Sequence, residues 1–381
     1  AVEPLFSLLQ APHTSLMAKE TALLALARLE SVRAEQFLAF WEGELRDVYR
    51  YKLMLASLDA GPPLEADTFL HVALENAHRQ ILSLLVQLLA VWASPDVARL
   101  VESGLHDPDR RKRASALEAL ESLSERRFTR LFLPILEAGD TQQEDWREVA
   151  YRQWSLTTTD LSTLLAACLQ DTNKWVAIGA VLSGQARVTM LGQGWRGQLE
   201  QLADASTDSD VLNTVGRVLG METFASHQAL SLTDIMLFLK RIPLFGSMTL
   251  DQLHTIAAYL AEREMLPGET IVREGDLSHE LYLIVSGKVD IVKHFGSTSH
   301  TLATSGSGDF FGEMAIFEDR PRSADVVAVE HGILLALHSE HFRQIVLQDP
   351  TISFEIFRVL SFRIRRFDEE TMEAARSLES H

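Results

Sequence analysis

The chain has 381 residues, 46% hydrophobic and 23% charged, with 20 glycines and 11 prolines, a length and composition that suggest about two globular domains and exclude a largely disordered chain. Lys and Arg number 35 against 53 Asp and Glu, for a net charge of −18 with both halves acidic, which excludes a chain that as a whole tracks a nucleic-acid backbone. The single cysteine, Cys168, excludes an internal disulfide, fits a reducing compartment, and reads as a buried residue of the apolar run LSTLLAACL.

From Pro4 to about Leu219, amphipathic helices alternate with short polar breaks. In GLHDPDRRKRASALEALESL a helix ends near Leu105. Asp107-Pro108-Asp109 then turns the chain, and Ala114, Leu117, Ala119 and Leu120 open the next apolar face. Similar punctuation recurs at Leu136-Glu137-Ala138-Gly139-Asp140, at Leu169-Gln170-Asp171 and at Leu202-Ala203-Asp204. These leucines are roughly 33 residues apart, the period of a solenoid with two helices per unit. The Leu-x-Asp turn followed by a basic, alanine-rich helix resembles HEAT repeats; a nonrepeating helical bundle is the alternative. The most apolar window, Ile81 to Ala93, is too short for a bilayer span and reads as a buried helix. Arg110 to Arg113 reads as a solvated helix face. Most of the six tryptophans lie in this first region and read as core.

Gly220 to Leu232 lacks a sustained pattern and reads as a linker between residues 1–219 and 233–381. Two helices follow, hinged at Pro243 to Met248, with Thr249 suited to cap the second. The period then switches to two. Runs at Glu262–Leu266, Thr270–Arg273, Glu280–Ser286, Lys288–His294, His300–Thr304, Ala324–Val329 and Ile333–Leu337 are separated by glycine-bearing turns or by the segment 305–323. Short strands at this spacing predict a small antiparallel barrel or jelly roll. Helix returns over Glu340–Leu347, stops at Asp349-Pro350 and resumes from Thr351 to about Leu378. The expected fold class is therefore α+β and multidomain: a HEAT-like solenoid followed by a β-roll with flanking helices.

Between the strands lies GDFFGEMAIFEDRPRSADVVA, Gly308 to Ala328. Gly312-Glu313-Met314-Ala315, the step to Arg322 and then Ser323-Ala324 resemble the phosphate-binding cassette of the cyclic-nucleotide-binding family. That family includes bacterial catabolite activators, regulatory subunits of cyclic-AMP-dependent kinase and gated channels. Upstream, PGETIVREGD and LYLIVSGKV match as well. The residues support roles of their own: Gly312 lets backbone approach a ligand, and amides of Met314 and Ala315 face an anion at a helix start. Arg322 offers a forked donor to phosphate, with the Ser323 hydroxyl and amide beside it. Glu313 would repel phosphate and suits the ribose 2′-hydroxyl, as the resemblance also implies. The ligand so implied is cAMP or cGMP, with cAMP favoured and Ser323 compatible with both. Phe367, with Asp368 and Thr371 as neighbours, is the candidate lid over the base. Two observations weigh against a working pocket: Arg322 has Glu318 and Asp319 within reach, and Asp325 departs from the small or hydroxyl residue many relatives carry.

No Walker loop, kinase signature or HExxH occurs, His338-x-x-His341 reads as a surface pair rather than a metal site, and no helix-turn-helix follows the β-roll. The expectation is a non-enzymatic regulatory sensor without metal or nucleic-acid partner, whose output goes through the helical repeats. The alternative is a ligand-independent scaffold. GELRDVYRYKLMLASL through PDRRKRASALEALESL resembles the soluble tail of bacterial transporters similar to ATP/ADP translocases. The implied partner is then a protein or a covalently linked membrane transporter. The expected location is the cytoplasm, at the inner membrane face in the transporter case. The start on Ala1-Val2 leaves room for such a membrane portion upstream.

Overall fold

A computed structural model describes residues 34–92, 126–136, 146–220, 230–295, 298–317 and 320–350, with isolated positions between 4 and 26, between 111 and 119, and between 352 and 361. The chain divides into two compact units, Ala1–Phe224 and Ala225–His381. The first is helical among the described residues: α1 (Ala34–Asp59), α2 (Asp67–Trp92), α3 (Arg126–Leu136), α4 (Trp146–Trp154), α5 (Leu161–Leu169), α6 (Lys174–Gln185), α7 (Val188–Ala205) and α8 (Ser209–Leu219). Short polar side chains start the later helices. Asp160 accepts the amides of Ser162 and Thr163 at 3.0 and 3.1 Å, Asn173 accepts that of Trp175, and Asp208 accepts those of Asp210 and Val211. Gly220, at φ 72°, closes α8 in the left-handed conformation that glycine adopts without strain.

Helix α6 packs against α2, α5 and α8. Its Gly179 is what lets α2 come close, since a Cβ there would lie 2.6 Å from the Leu70 Cα. Trp41, Trp146, Trp175 and Trp195 are all buried, as core tryptophans should be, and Trp41 meets Phe132 edge-on at 5.7 Å. Cys168 is fully buried and burial pushes its thiol up to about 12.

Two polar ties cross this core. Asp67 at the start of α2 takes both forks of Arg187, at 2.5 and 2.6 Å, and the Ser183 hydroxyl at 2.6 Å. Asp171, whose side chain is wholly buried, accepts Arg50 Nη1 at 2.7 Å and the Tyr51 hydroxyl at 2.8 Å, both from α1.

The predicted Leu-x-Asp punctuation divides here. Leu169-Gln170-Asp171 does sit at a helix end, but Leu202-Ala203-Asp204 lies inside α7, and Asp204 is exposed. The turn comes later, where Ser206 and Asp208 offer side-chain acceptors to free amides. The turns at 107–109 and 137–140, and most of Arg110 to Arg113, lie outside the described residues. Of the apolar window Ile81 to Ala93, residues 81–92 belong to α2 and Ala93 lies outside the described residues. Among the described residues, no helix is long and apolar enough to cross a membrane.

The second unit begins with α9 (Leu232–Arg241) and α10 (Leu250–Ala257), each opened by a capping box, from Ser231 and Asp234 and from Thr249 and Gln252. Eight strands follow: β1 (Ala261–Met265), β2 (Thr270–Val272), β3 (Glu280–Ser286), β4 (Val289–Phe295), β5 (Thr298–Ser305), β6 (Phe310–Phe311), β7 (Asp325–Ala328) and β8 (Gly332–His338). They make two four-stranded antiparallel sheets, ordered β1-β8-β3-β6 and β2-β7-β4-β5. Met265, Ile284, Val289 and Leu334, each at 0% exposure, fill the space between them; each such burial contributes about 1.5–3 kcal/mol. The short helix α11 (Met314–Phe317) lies between β6 and β7, and α12 (Ser339–Gln348) follows β8 directly.

Seven predicted strands appear, Glu280–Ser286 with the predicted ends and six with shifted ones. The eighth, β6, is a two-residue bridge, too short to show an alternation. His300–Thr304 proves to be the middle of a longer β5. His338 is more than half of a surface pair: its Nδ1 accepts the Glu340 amide at 3.2 Å and caps α12, while its ring lies 6.1 Å from His341 and 6.3 Å from His279. The predicted helix from Thr351 to Leu378 lies almost wholly outside the described residues.

Candidate functional site

The segment from Gly312 to Ser323 runs from the end of β6, through α11, to the residue two before β7. Arg322 reaches it from the other end. Its backbone is fixed by the turn after β2: Gly275 N–H donates to Arg322 O, and Arg322 N–H to Asp276 O, both at 2.9 Å. The side chain is only 7% exposed. Nε donates to Ser278 Oγ at 2.7 Å, Nη2 to the Glu280 carbonyl at 2.7 Å, and Nη1 to the Gly312 carbonyl at 3.4 Å.

All three acceptors are neutral. The nearest carboxylate oxygen among the described residues, Glu280 Oε2, stands 3.9 Å away. Burial lowers the guanidinium pKa from its ordinary value, opposed by the fields of Tyr282, Glu280 and Glu313. A guanidinium carries five N–H donors, so these three bonds leave one N–H on each terminal nitrogen. Arg322 is thus a buried cation whose nearest carboxylate among the described residues, that of Glu280, sits at the edge of ion-pair distance. Glu318 and Asp319, the predicted competitors, lie outside them.

Gly312 stands at φ 79°, a conformation that favours glycine, and a Cβ there would lie 2.8 Å from the Glu280 carbonyl and run into the Arg322 guanidinium. The sequence reading gave this glycine to the ligand; in the structure it first makes room for the arginine. Glu313 is half-buried and its carbonyl accepts the Ile316 amide at 3.1 Å, so α11 begins at Met314, with the Met314 and Ala315 amides in its first turn. Met314 is 57% exposed. Beneath the segment, Glu313 and Ile316 share a small apolar cavity with Leu281, Leu337 and Phe342.

Ser323 is exposed, and its carbonyl accepts Lys293 Nζ from β4 at 2.6 Å. Asp325 is held elsewhere: its carboxylate accepts the Glu274 amide at 2.6 Å and pairs with His294 Nε2 at 2.9 Å. The Glu274 amide, with His294 adding to it, holds Asp325 below the usual carboxylate range. The structure therefore brings Gly312, Glu313 and Arg322 together, with Met314, Ala315 and Ser323 flanking them. Phe367, Asp368 and Thr371 lie outside the described residues.

Sequence reasoning missed Ser278, Glu280 and Tyr282. A signal existed: Glu280 opens an otherwise apolar strand, and residues two apart share a strand face, which sets Glu280 and Tyr282 on one side of β3. Tyr282 stacks on Phe311 at 5.1 Å, and burial raises its hydroxyl pKa.

Residues 262–349 match the family model described as cyclic nucleotide-binding domain. This segment is a domain of the type shared by catabolite activators and kinase regulatory subunits. The chain is 35% identical over 133 residues to the "Cyclic AMP receptor protein" of Thermus thermophilus, across 35% of this chain and 62% of that protein. It is 34% identical over 109 residues to the "cAMP-dependent protein kinase regulatory subunit" of Colletotrichum orbiculare, across 29% of this chain and 27% of that one. The crystal structure of the Thermus thermophilus catabolite activator protein aligns at 34% identity and TM-score 0.32, covering 35% of this chain and 63% of that chain. The chain thus spans less than two thirds of the length of these relatives, and the family-model match lies in its C-terminal unit.

Among the described residues, no group of three or more His, Cys, Asp or Glu side chains is arranged to hold a metal ion.

Proposed function

We propose that the C-terminal unit binds a cyclic nucleotide, cAMP in preference to cGMP, and that the chain is a regulatory sensor rather than an enzyme. The observation that carries this reading is Arg322: a buried guanidinium bonded to neutral acceptors, with two N–H groups in hand, suits an incoming phosphate. A charge-assisted bond there contributes about 1.5–3 kcal/mol. In this reading the phosphate also takes the Met314 and Ala315 amides and the Ser323 hydroxyl. Glu313 accepts the ribose 2′-hydroxyl, and Phe367 closes over the base. The preference for cAMP follows the relatives named for that nucleotide.

The output runs through α12. Its Phe342 shares the cavity with Glu313 and Ile316, so ligand capture at the 312–323 segment shifts the helix it rests on, favouring one of two packings. The helical unit, read as HEAT-like repeats, carries the change to a protein partner or to a covalently attached transporter, placing the chain at the cytoplasmic face of the membrane.

Calorimetric titration of the purified chain with cAMP and with cGMP, beside Arg322→Ala, tests this. Expected are binding of cAMP, weaker binding of cGMP, and a roughly ten- to hundredfold weakening of both in the variant. A chain that binds neither nucleotide supports the scaffold alternative.

A further inference from the structure

Beside the 312–323 segment, Lys293, Glu274, Asp325 and His294 form a ring of hydrogen bonds, next to an open depression lined by Thr270, Arg273, Glu274, His294 and Asp325. Lys293 Nζ bridges Glu274 Oε1 at 2.7 Å and the Ser323 carbonyl at 2.6 Å. Glu274 Oε2 accepts the His294 amide at 3.2 Å, and its own amide donates to Asp325 Oδ1 at 2.6 Å. Asp325 Oδ2 meets His294 Nε2 at 2.9 Å.

The ring has a mechanical consequence. Residues 322–324 belong to no helix or strand, and the Gly275–Asp276 turn fixes only the Arg322 backbone. The peptide that leaves Ser323 is gripped by Lys293, reaching across from β4. Fixing that carbonyl fixes the backbone on which the Ser323 hydroxyl sits. Both bonds of Lys293 are to oxygens, and one of them is a carboxylate that offsets its charge.

We propose that Lys293 is a positioning residue of the nucleotide site, holding Ser323 in its binding orientation through the Ser323 carbonyl. This inference rests on the cyclic-nucleotide reading of the 312–323 segment. A surface ion pair with Glu274 alone would contribute little and be screened by salt. An anchored backbone carbonyl acts on geometry, and its effect on affinity is insensitive to ionic strength.

Lys293→Met keeps the stem and removes the ammonium. Its affinity for cAMP, measured by calorimetry at low and at high salt on protein shown by thermal melting to be folded, is expected to fall roughly tenfold at both salts. Lys293→Arg, which retains a donor to the carbonyl, recovers most of the loss. A loss that vanishes at high salt makes Lys293 a diffuse charge and overturns the proposal, as does unchanged affinity.

The unmodified protein gives a second test that does not depend on a variant folding. With 15N-labelled lysine, the Lys293 ammonium resonance is expected to shift on saturation with cAMP; an unmoved resonance overturns the proposal. Should the unmodified protein bind neither nucleotide, it is the reading of the site that fails. Binding that is indifferent to Lys293 overturns the positioning role alone.

Discussion

Arg187 in the helical unit and Arg322 in the β-roll are both nearly inaccessible, at 6% and 8% exposure, yet they are neutralised in opposite ways. Arg187 meets a carboxylate from its own fold, with two N–H groups on Asp67 and a further bond to the Pro62 carbonyl. Burial works against the Asp67 charge, but the bonds from Arg187, Ser183 and Leu64 outweigh it and hold its pKa down. Arg322 has a hydroxyl and two carbonyls. A buried charge needs a counter-charge or strong dipoles. In one unit the fold supplies a carboxylate in direct contact; in the other, among the described residues, the direct contacts are dipoles and the nearest carboxylate, Glu280, stands 3.9 Å off, which suits the cation to an added anion. A buried cation is structural where its carboxylate is built in, and receptive where it is not.

Breaking the pair tests this most directly. Asp67→Ala leaves Arg187 buried and unpaired and is expected to destabilise the helical unit by about 3–5 kcal/mol, read by chemical denaturation, with cAMP affinity unchanged in protein that remains folded. If affinity falls in parallel, the two arginines do not play separate roles.

Acid sharpens the same contrast. Burial pushes His78 down to about 4 from 6.5, with its Nδ1 bonded to the Val48 carbonyl at 3.0 Å. The unfolded chain therefore takes up a proton that the folded one refuses. Stability should decline as pH falls from 6.5 through 4, by at most about 3 kcal/mol, and change no further from this group below that. His78→Gln is expected to flatten the slope in denaturation measured across this window.

On the β-roll side, Arg322→Ala should weaken cAMP by about 1.5–3 kcal/mol, roughly ten- to a hundredfold, in calorimetry. Gly312→Ala is expected to act through Arg322, because the added methyl takes the space of the guanidinium; about 1–2 kcal/mol of stability should be lost to φ strain and displacement, with weaker nucleotide binding. Ser278→Ala, which removes only the Nε acceptor, should cost about 1 kcal/mol of binding. If Ser278→Ala outweighs Arg322→Ala, the guanidinium is not the anchor.

How much of this was legible beforehand depended on sequence separation. Thr249 was legible as a cap because the amide it accepts, that of Gln252, lies within one turn, whereas the return bond of a capping box was not read. Gly268, Gly275 and Gly287 announced strand ends, and each adopts positive φ. The 312–323 segment was legible because its residues adjoin one another. Ser278 and Glu280 were not: they reach Arg322 across 44 and 42 positions, a proximity set by strand pairing. Asp67 and Arg187, 120 apart, depend on the packing of α2 against α6. The misplaced turn at Leu202 has a local cause: α7 continues to Ala205, past the predicted punctuation, and ends where Ser206 and Asp208 can take free amides.

Cys168 also gives the protein a silent background and a clock. As the sole thiol, wholly buried and shifted to about 12, it leaves the folded chain nearly inert to maleimides. A cysteine introduced on the exposed face of α12 would then carry a spectroscopic label alone, and would read out whether that helix shifts when nucleotide is added. Reaction at Cys168 itself would mark each opening of the helical unit.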